Sequence, residues 1–180
     1  LLPLPAPMTG PDQPPHLDAA IHAAFAGGRA IMDVYAKDFD VQLKADRSPL
    51  TQADRNAHAA IEQALTPTAL PVLSEEGRSI AAAERQAWGH YWLVDPLDGT
   101  KEFISRNGEF TVNVALIRNH KPILGVVAAP VLSLVFYGVE DAGAFVTHDG
   151  GTAQPIHVRH PAADPLVIVG SRSHRGDSLD

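Results

Sequence analysis

Tyr91-Trp92-Leu93-Val94-Asp95-Pro96-Leu97-Asp98-Gly99-Thr100 runs from an apolar strand straight into an acidic, turn-favouring segment. Two aspartates three residues apart can meet if the chain between them turns sharply. Pro96 favours such a turn, because it fixes one φ angle and removes a donor. The Leu97 carbonyl would then point the same way as both carboxylates. Hard cations such as Mg²⁺ prefer this kind of oxygen set. Gly99 allows close backbone approach by a ligand, and Thr100 could open a helix whose free N–H groups suit phosphate. Taken alone, the run reads equally well as a surface turn. The strand Tyr91–Val94 tips the balance by delivering it from the core.

Outward from this segment, Pro71-Val72-Leu73 is a short buried strand that delivers a second acidic pair, Glu75 and Glu76. Upstream, apolar residues at helical spacing predict a helix from His16 to about Lys37 and another from about Thr51 to Leu65. Thr51-Gln-Ala-Asp54 has capping-box spacing, so Asp54 has capping as its default role. The helix dipole would also keep that carboxylate ionised, and capping and chemistry can coexist. Asp38–Lys44 alternates like a strand, Asp46–Pro49 is a turn, and a short helix is expected at Ser79–Gln86. Phe110–Ile117, Ile123–Ala129 and Leu132–Val139 are longer strands. Gly143–Thr147 and Ile156–Arg159 add two more, and Leu166–Val169 begins another. Helices followed by antiparallel strands predict an α+β fold, with helices packed on a mainly antiparallel sheet. The expected organisation is a disordered Pro-rich tail over 1–15, an α+β metal-binding domain over 16–160, and the beginning of a second, α/β unit over 161–180.

The 180 residues are 45% hydrophobic and 19% charged, as in ordinary globular proteins, and contain no cysteine. Disulfides, thiolate metal sites and cysteine nucleophiles are thereby excluded. The net charge of −7 and the lack of a basic stripe argue against a nucleic-acid partner. No apolar stretch approaches the roughly 20 residues that span a bilayer. No nucleophilic-serine elbow, Walker loop or dinucleotide fingerprint is present, and the Pro-rich residues 1–15 do not read as a signal peptide. Lys44, Lys101, Arg106 and Arg172 could hold anionic groups, with a solvated surface charge as the default for each. His157 and His160 read as solvated. Gly170-Ser171-Arg172-Ser173-His174 follows an apolar strand and is a binding loop or a helix cap.

Together these residues resemble a known signature. Trp92-Leu-Val-Asp95-Pro-Leu-Asp98-Gly-Thr100 is similar to the motif of the inositol monophosphatase superfamily, which are lithium-sensitive, Mg²⁺-dependent phosphatases. Lys101-Glu-Phe103 and Arg106-Asn-Gly-Glu-Phe-Thr-Val-Asn-Val-Ala115 resemble the CysQ-type 3′(2′),5′-bisphosphate nucleotidases in particular. So do Ser48-Pro-Leu-Thr-Gln-Ala-Asp54, Val72-Leu-Ser-Glu-Glu76 and Gly170-Ser-Arg-Ser-His174. The match covers about residues 18–178 and implies the sugar-phosphatase fold.

The resemblance implies that Glu75, Asp95, Asp98 and the Leu97 carbonyl hold two or three Mg²⁺ ions. Asp54, hydrogen-bonded to Thr100, would activate water together with Glu75. Gly99, Thr100, Lys101, Ser173 and His174 would bind substrate, His174 near the nucleoside. The implied reaction removes the 3′-phosphate of adenosine 3′,5′-bisphosphate, giving AMP and phosphate in sulfur assimilation. A cytoplasmic protein is implied, with peripheral contact to the inner membrane as for some relatives. An inositol or sugar monophosphatase is the alternative enzyme, and a non-catalytic Mg²⁺- or phosphate-binding module the alternative outside enzymes. Family members carry a further α/β half with another metal-binding aspartate in a Trp-Asp motif. The sequence stops at Asp180 ahead of it. The expectation is therefore a fragment or a truncated product, with one metal short of a ligand.

Overall fold

The computed structural model describes residues 16–43 and 49–169. The expected tail over 1–15 and the turn over 46–49 lie largely or wholly outside them. The first expected helix forms as α1 (Leu17–Tyr35) and the second as α2 (Gln52–Leu65). Between them β1 (Val41–Leu43) and β2 (Pro49–Thr51) make a separate two-stranded antiparallel ladder, so the strand expected over 38–44 is shorter than its alternation suggests.

The main sheet has seven strands in chain order. They are β3 (Val72–Ser74), β4 (His90–Asp98), β5 (Thr111–Arg118), β6 (Lys121–Ala129), β7 (Leu134–Val139), β8 (Gly143–His148) and β9 (Gln154–Ile156). Only β3 and β4 are parallel, joined by a crossover that carries α3 (Ala82–Gln86). The other pairs are antiparallel, and the α+β architecture expected from the sequence holds. A last short helix, α4 (Thr100–Ile104), follows β4 directly.

Both long helices lie on one face of the sheet. Small residues let them approach closely: Ala20, Ala23 and Ala24 of α1 and Ala53 and Ala57 of α2 are fully buried. At Gly27 an added Cβ would stand 2.7 Å from Ile61 Cδ1 and 3.3 Å from Val112 Cγ1, so helix α1 tolerates a poor helix former in exchange for close packing. Trp92, Val94, Val112, Val114, Val126 and Val135 alternate onto this face and complete the core. The Trp92 indole N–H, buried with its ring, donates to Thr68 Oγ1 at 2.9 Å. An aromatic group of Tyr35, Phe39, Phe103 and Phe110, with centroids 4.6 to 5.4 Å apart, fastens α4 beneath the end of α1.

Further sequence expectations change. The helix expected over Ser79–Gln86 begins only at Ala82, and the strand expected over Ile156–Arg159 ends at Ile156. The strand expected from Leu132 starts at Leu134, because Pro130–Leu132 forms a 3₁₀ turn ending at Ser133 with φ 52°. Leu166–Val169 forms no strand. Its side chains are 70–93% exposed, and no neighbouring strand among the described residues offers it a ladder. The division at residue 161 therefore stands as a proposal. No helix among the described residues is long and apolar enough to cross a membrane.

Candidate metal and phosphate site

Asp95 and Asp98 do not meet through a sharp turn. Instead β4 continues through them with a bulge. Asp95 is opposite Asn113 and Asp98 is opposite Thr111, so three steps along β4 match two along β5. In a regular strand, side chains three residues apart point to opposite faces. The extra residue of a bulge resets that parity and re-aims the side chain. Pro96 is tolerated because a bulge leaves a position with no ladder bond to donate. The Leu97 N–H donates to Asp95 Oδ1 at 3.2 Å, and the Leu97 side chain is buried beneath.

Glu75 reaches the same end of the sheet through the parallel pair. Ser74 is in register with Val94, and the Glu75 N–H donates to the Val94 carbonyl at 3.1 Å. Glu75, Asp95 and Asn113 line one open cleft of about 550 Å³, with Arg85 of α3 at its wall. Gly99 then turns the chain at φ 92°, where an added Cβ would lie 3.0 Å from the Glu109 carbonyl oxygen. Only glycine fits there without strain. Thr100 starts α4 immediately afterwards.

Asp54 is 1% exposed and sits at the start of α2. The capping box is present. The Thr51 N–H and Thr51 Oγ1 each donate to Asp54 Oδ2 at 2.7 Å, and the Ala53 N–H donates to Thr51 Oγ1 at 3.1 Å. The other oxygen is turned to the bulge. Thr100 Oγ1 stands 3.3 Å from Asp54 Oδ1 and 3.3 Å from the Leu97 carbonyl oxygen, with one proton for the two acceptors. Capping and contact with the acidic segment coexist in one side chain.

The oxygens gathered here are carboxylates and a backbone carbonyl, a hard donor set that suits Mg²⁺. Among the described residues, no three His, Asp or Glu side chains converge closely enough to enclose a metal. Glu75, Asp95 and Asp98 thus share one sheet end without closing into a cage. Lys101 is exposed on α4. Arg106 is not an anion site. It donates to the Tyr35 carbonyl at 2.6 Å and the Lys37 carbonyl at 2.5 Å, and its guanidinium stacks over Tyr35 and Phe39. It clamps the end of α1. His157 and His160 are exposed as expected, and Lys44, Arg172, Ser173 and His174 lie outside the described residues.

Sequence reasoning passed over four residues that support the site. Asn113 Nδ2 donates to Asp98 Oδ2 at 3.2 Å, and Thr111 Oγ1 donates to Asn113 Oδ1 at 3.1 Å. His58 Nδ1 is bonded to Ser74 Oγ at 2.9 Å, just before Glu75. A polar residue inside the otherwise apolar strand Val112–Ile117 was the available signal for Asn113.

Known phosphatases resemble this chain along most of its length. The profile of the inositol monophosphatase family matches residues 12–179. The chain is 51% identical over 168 residues to the 3′(2′),5′-bisphosphate nucleotidase CysQ of Salmonella typhimurium and 52% identical to that of Escherichia coli K12. Each match covers 91% of this chain and 66% of the relative. The chain therefore spans just under two thirds of the length of these relatives. Among solved structures, CysQ from Bacteroides thetaiotaomicron is 45% identical with a TM-score of 0.63, covering 81% of this chain and 51% of that one. A Thermotoga maritima IMPase is 27% identical with a TM-score of 0.69, covering 82% and 55%.

Proposed function

The chain belongs to the inositol monophosphatase family, and from that premise we propose that it carries the metal-binding and water-activating part of a Mg²⁺-dependent 3′(2′),5′-bisphosphate nucleotidase. The reaction is removal of the 3′-phosphate of adenosine 3′,5′-bisphosphate, giving AMP and phosphate. The observation that carries the reading is the Asp54–Thr100 contact beside the acidic bulge. A buried carboxylate that accepts from Thr51 N–H, Thr51 Oγ1 and Thr100 Oγ1 is fixed in place.

Glu75, Asp95, Asp98 and the Leu97 carbonyl would hold the ions, two or three in number. Bound Mg²⁺ supplies charge neutralisation on the phosphoryl oxygens and acidifies a water ligand. The chain's own residues then handle the proton. Thr100 Oγ1 donates to Asp54 Oδ1, which leaves a Thr100 oxygen lone pair to accept a proton from the attacking water as the Thr100 hydrogen passes to Asp54. Glu75 orients that water from the next strand. Gly99 and the Thr100 N–H receive the phosphate, and Lys101 offsets its charge. Ser173 and His174 would contact the nucleoside. No covalent protein nucleophile is needed. The part of the relatives' length beyond this chain is where a further metal ligand is expected.

The test is phosphate release from adenosine 3′,5′-bisphosphate and from inositol 1-phosphate, with and without Mg²⁺, by the full-length gene product and its Asp98→Ala variant. The nucleotide should be preferred and the variant inactive. A variant that kept wild-type turnover would remove Asp98 from the metal site. The fold likeness to the Thermotoga IMPase favours a second reading as an inositol or sugar monophosphatase, which preference for inositol 1-phosphate would establish.

A further inference from the structure

We propose that Asn113 is a positioning residue for Asp98, with Thr111 fixing the orientation of its amide. The inference rests on reading Asp98 as a metal ligand.

Asp98 is an exposed carboxylate at the bulge. Across the ladder Asn113 lies opposite Asp95, one diagonal step from Asp98, and its Nδ2 reaches Asp98 Oδ2 at 3.2 Å. Diagonal neighbours on one face are within reach of such side chains. The contact exists only because the bulge has returned Asp98 to the face of Asp95 and Asn113.

The direction of the amide follows from chemistry. An ionised carboxylate has no hydrogen to give, so only the NH₂ end of Asn113 can face it. The Asn113 Oδ1 must then accept from elsewhere, and Thr111 Oγ1 supplies that hydrogen at 3.1 Å. Thr111 and Asn113 are two residues apart on β5 and so share a face. The relay Thr111 to Asn113 to Asp98 commits one Asp98 oxygen to the sheet and leaves Oδ1 for a cation. Partners of this kind typically contribute about 10- to 100-fold to metal affinity. Since the donor–acceptor pair is solvent-accessible, the lower end applies.

Mn²⁺ uptake, followed by the electron paramagnetic resonance of the free ion and by competition with Mg²⁺, tests this on the full-length gene product. Asn113→Ala should weaken Mn²⁺ binding about 10-fold. It should raise the Mg²⁺ concentration for half-maximal turnover by a similar factor, with kcat recovered at saturating Mg²⁺. Its unfolding temperature in EDTA should match the wild type, which separates positioning from general destabilisation. Thr111→Val should show a smaller shift in the same direction, and Thr111→Ser should bind as the wild type does. The Thr111 pair reads the same relay if Asn113→Ala fails to fold. Wild-type Mn²⁺ affinity in both Asn113→Ala and Thr111→Val would overturn the inference while leaving the site intact. Absence of Mn²⁺ uptake by the wild type would overturn the reading of the site itself.

Discussion

Asp54 uses its two oxygens for different ends, one to start α2 and one to hold Thr100. Substitution can separate them. In Asp54→Asn the amide oxygen can still accept from the Thr51 N–H, so the cost in stability should stay near about 1 kcal/mol, typical of a weakened cap. Loss of the charge should lower kcat by about 10²- to 10⁴-fold, the usual contribution of a positioned base. Steady-state kinetics beside thermal unfolding would read both, and wild-type kcat would disprove the proton relay. Gly99→Ala forces a side chain into φ 92° and against the Glu109 carbonyl. Such strain costs about 1–3 kcal/mol, and calorimetry should find it. The Thr51–Asp54 spacing made the cap legible in the sequence. The bond to Thr100 was not legible from spacing, because it joins residues 46 positions apart and depends on how α2 settles against β4. Asn113 was hidden for a related reason: its meaning lies in the register with β4, which no single strand encodes.

At the scale of elements, the bulge in β4 decides more than any helix. The sequence pointed to Asp95–Asp98 as an interruption of the strand, but the chain stays in the ladder with one residue in excess. Proline and acidic residues favour turns and bulges alike, so composition could not tell them apart. Apolar periodicity did mark α1, α2 and β5–β7 closely, since each has a largely one-sided buried face. It failed at Leu166–Val169, where an apolar run has no partner strand among the described residues. Packing between elements is tested at Gly27. Alanine there gains about 1 kcal/mol of helix propensity but must displace Ile61 and Val112, and overpacking costs about 1–3 kcal/mol. Gly27→Ala should therefore lower the unfolding temperature by a few degrees. Gly125→Ala, with nothing within 4 Å of the added Cβ, should not.

For the whole molecule, the two faces of the sheet differ. One is covered by α1 and α2, whereas the other carries Leu93, Val127 and Phe136 at 38–45% exposure beside the cleft of Glu75 and Asp95. The candidate ligands hang from that open side, so ion binding should stiffen strand ends rather than the core. A ligand that binds only the folded state adds about 2.7 kcal/mol at 100 times its Kd. Mg²⁺ titrated into the EDTA-treated protein should raise its unfolding temperature, and Asp95→Asn should abolish the rise.

The bulge, the cap and the Thr111–Asn113 relay share one further property. Every residue from Thr51 to Asn113 that they join precedes β6 in the chain. During synthesis on the ribosome, the acidic centre is thus released ahead of β6 to β9. The later strands extend a sheet whose ligand-bearing strand ends come earlier in the chain.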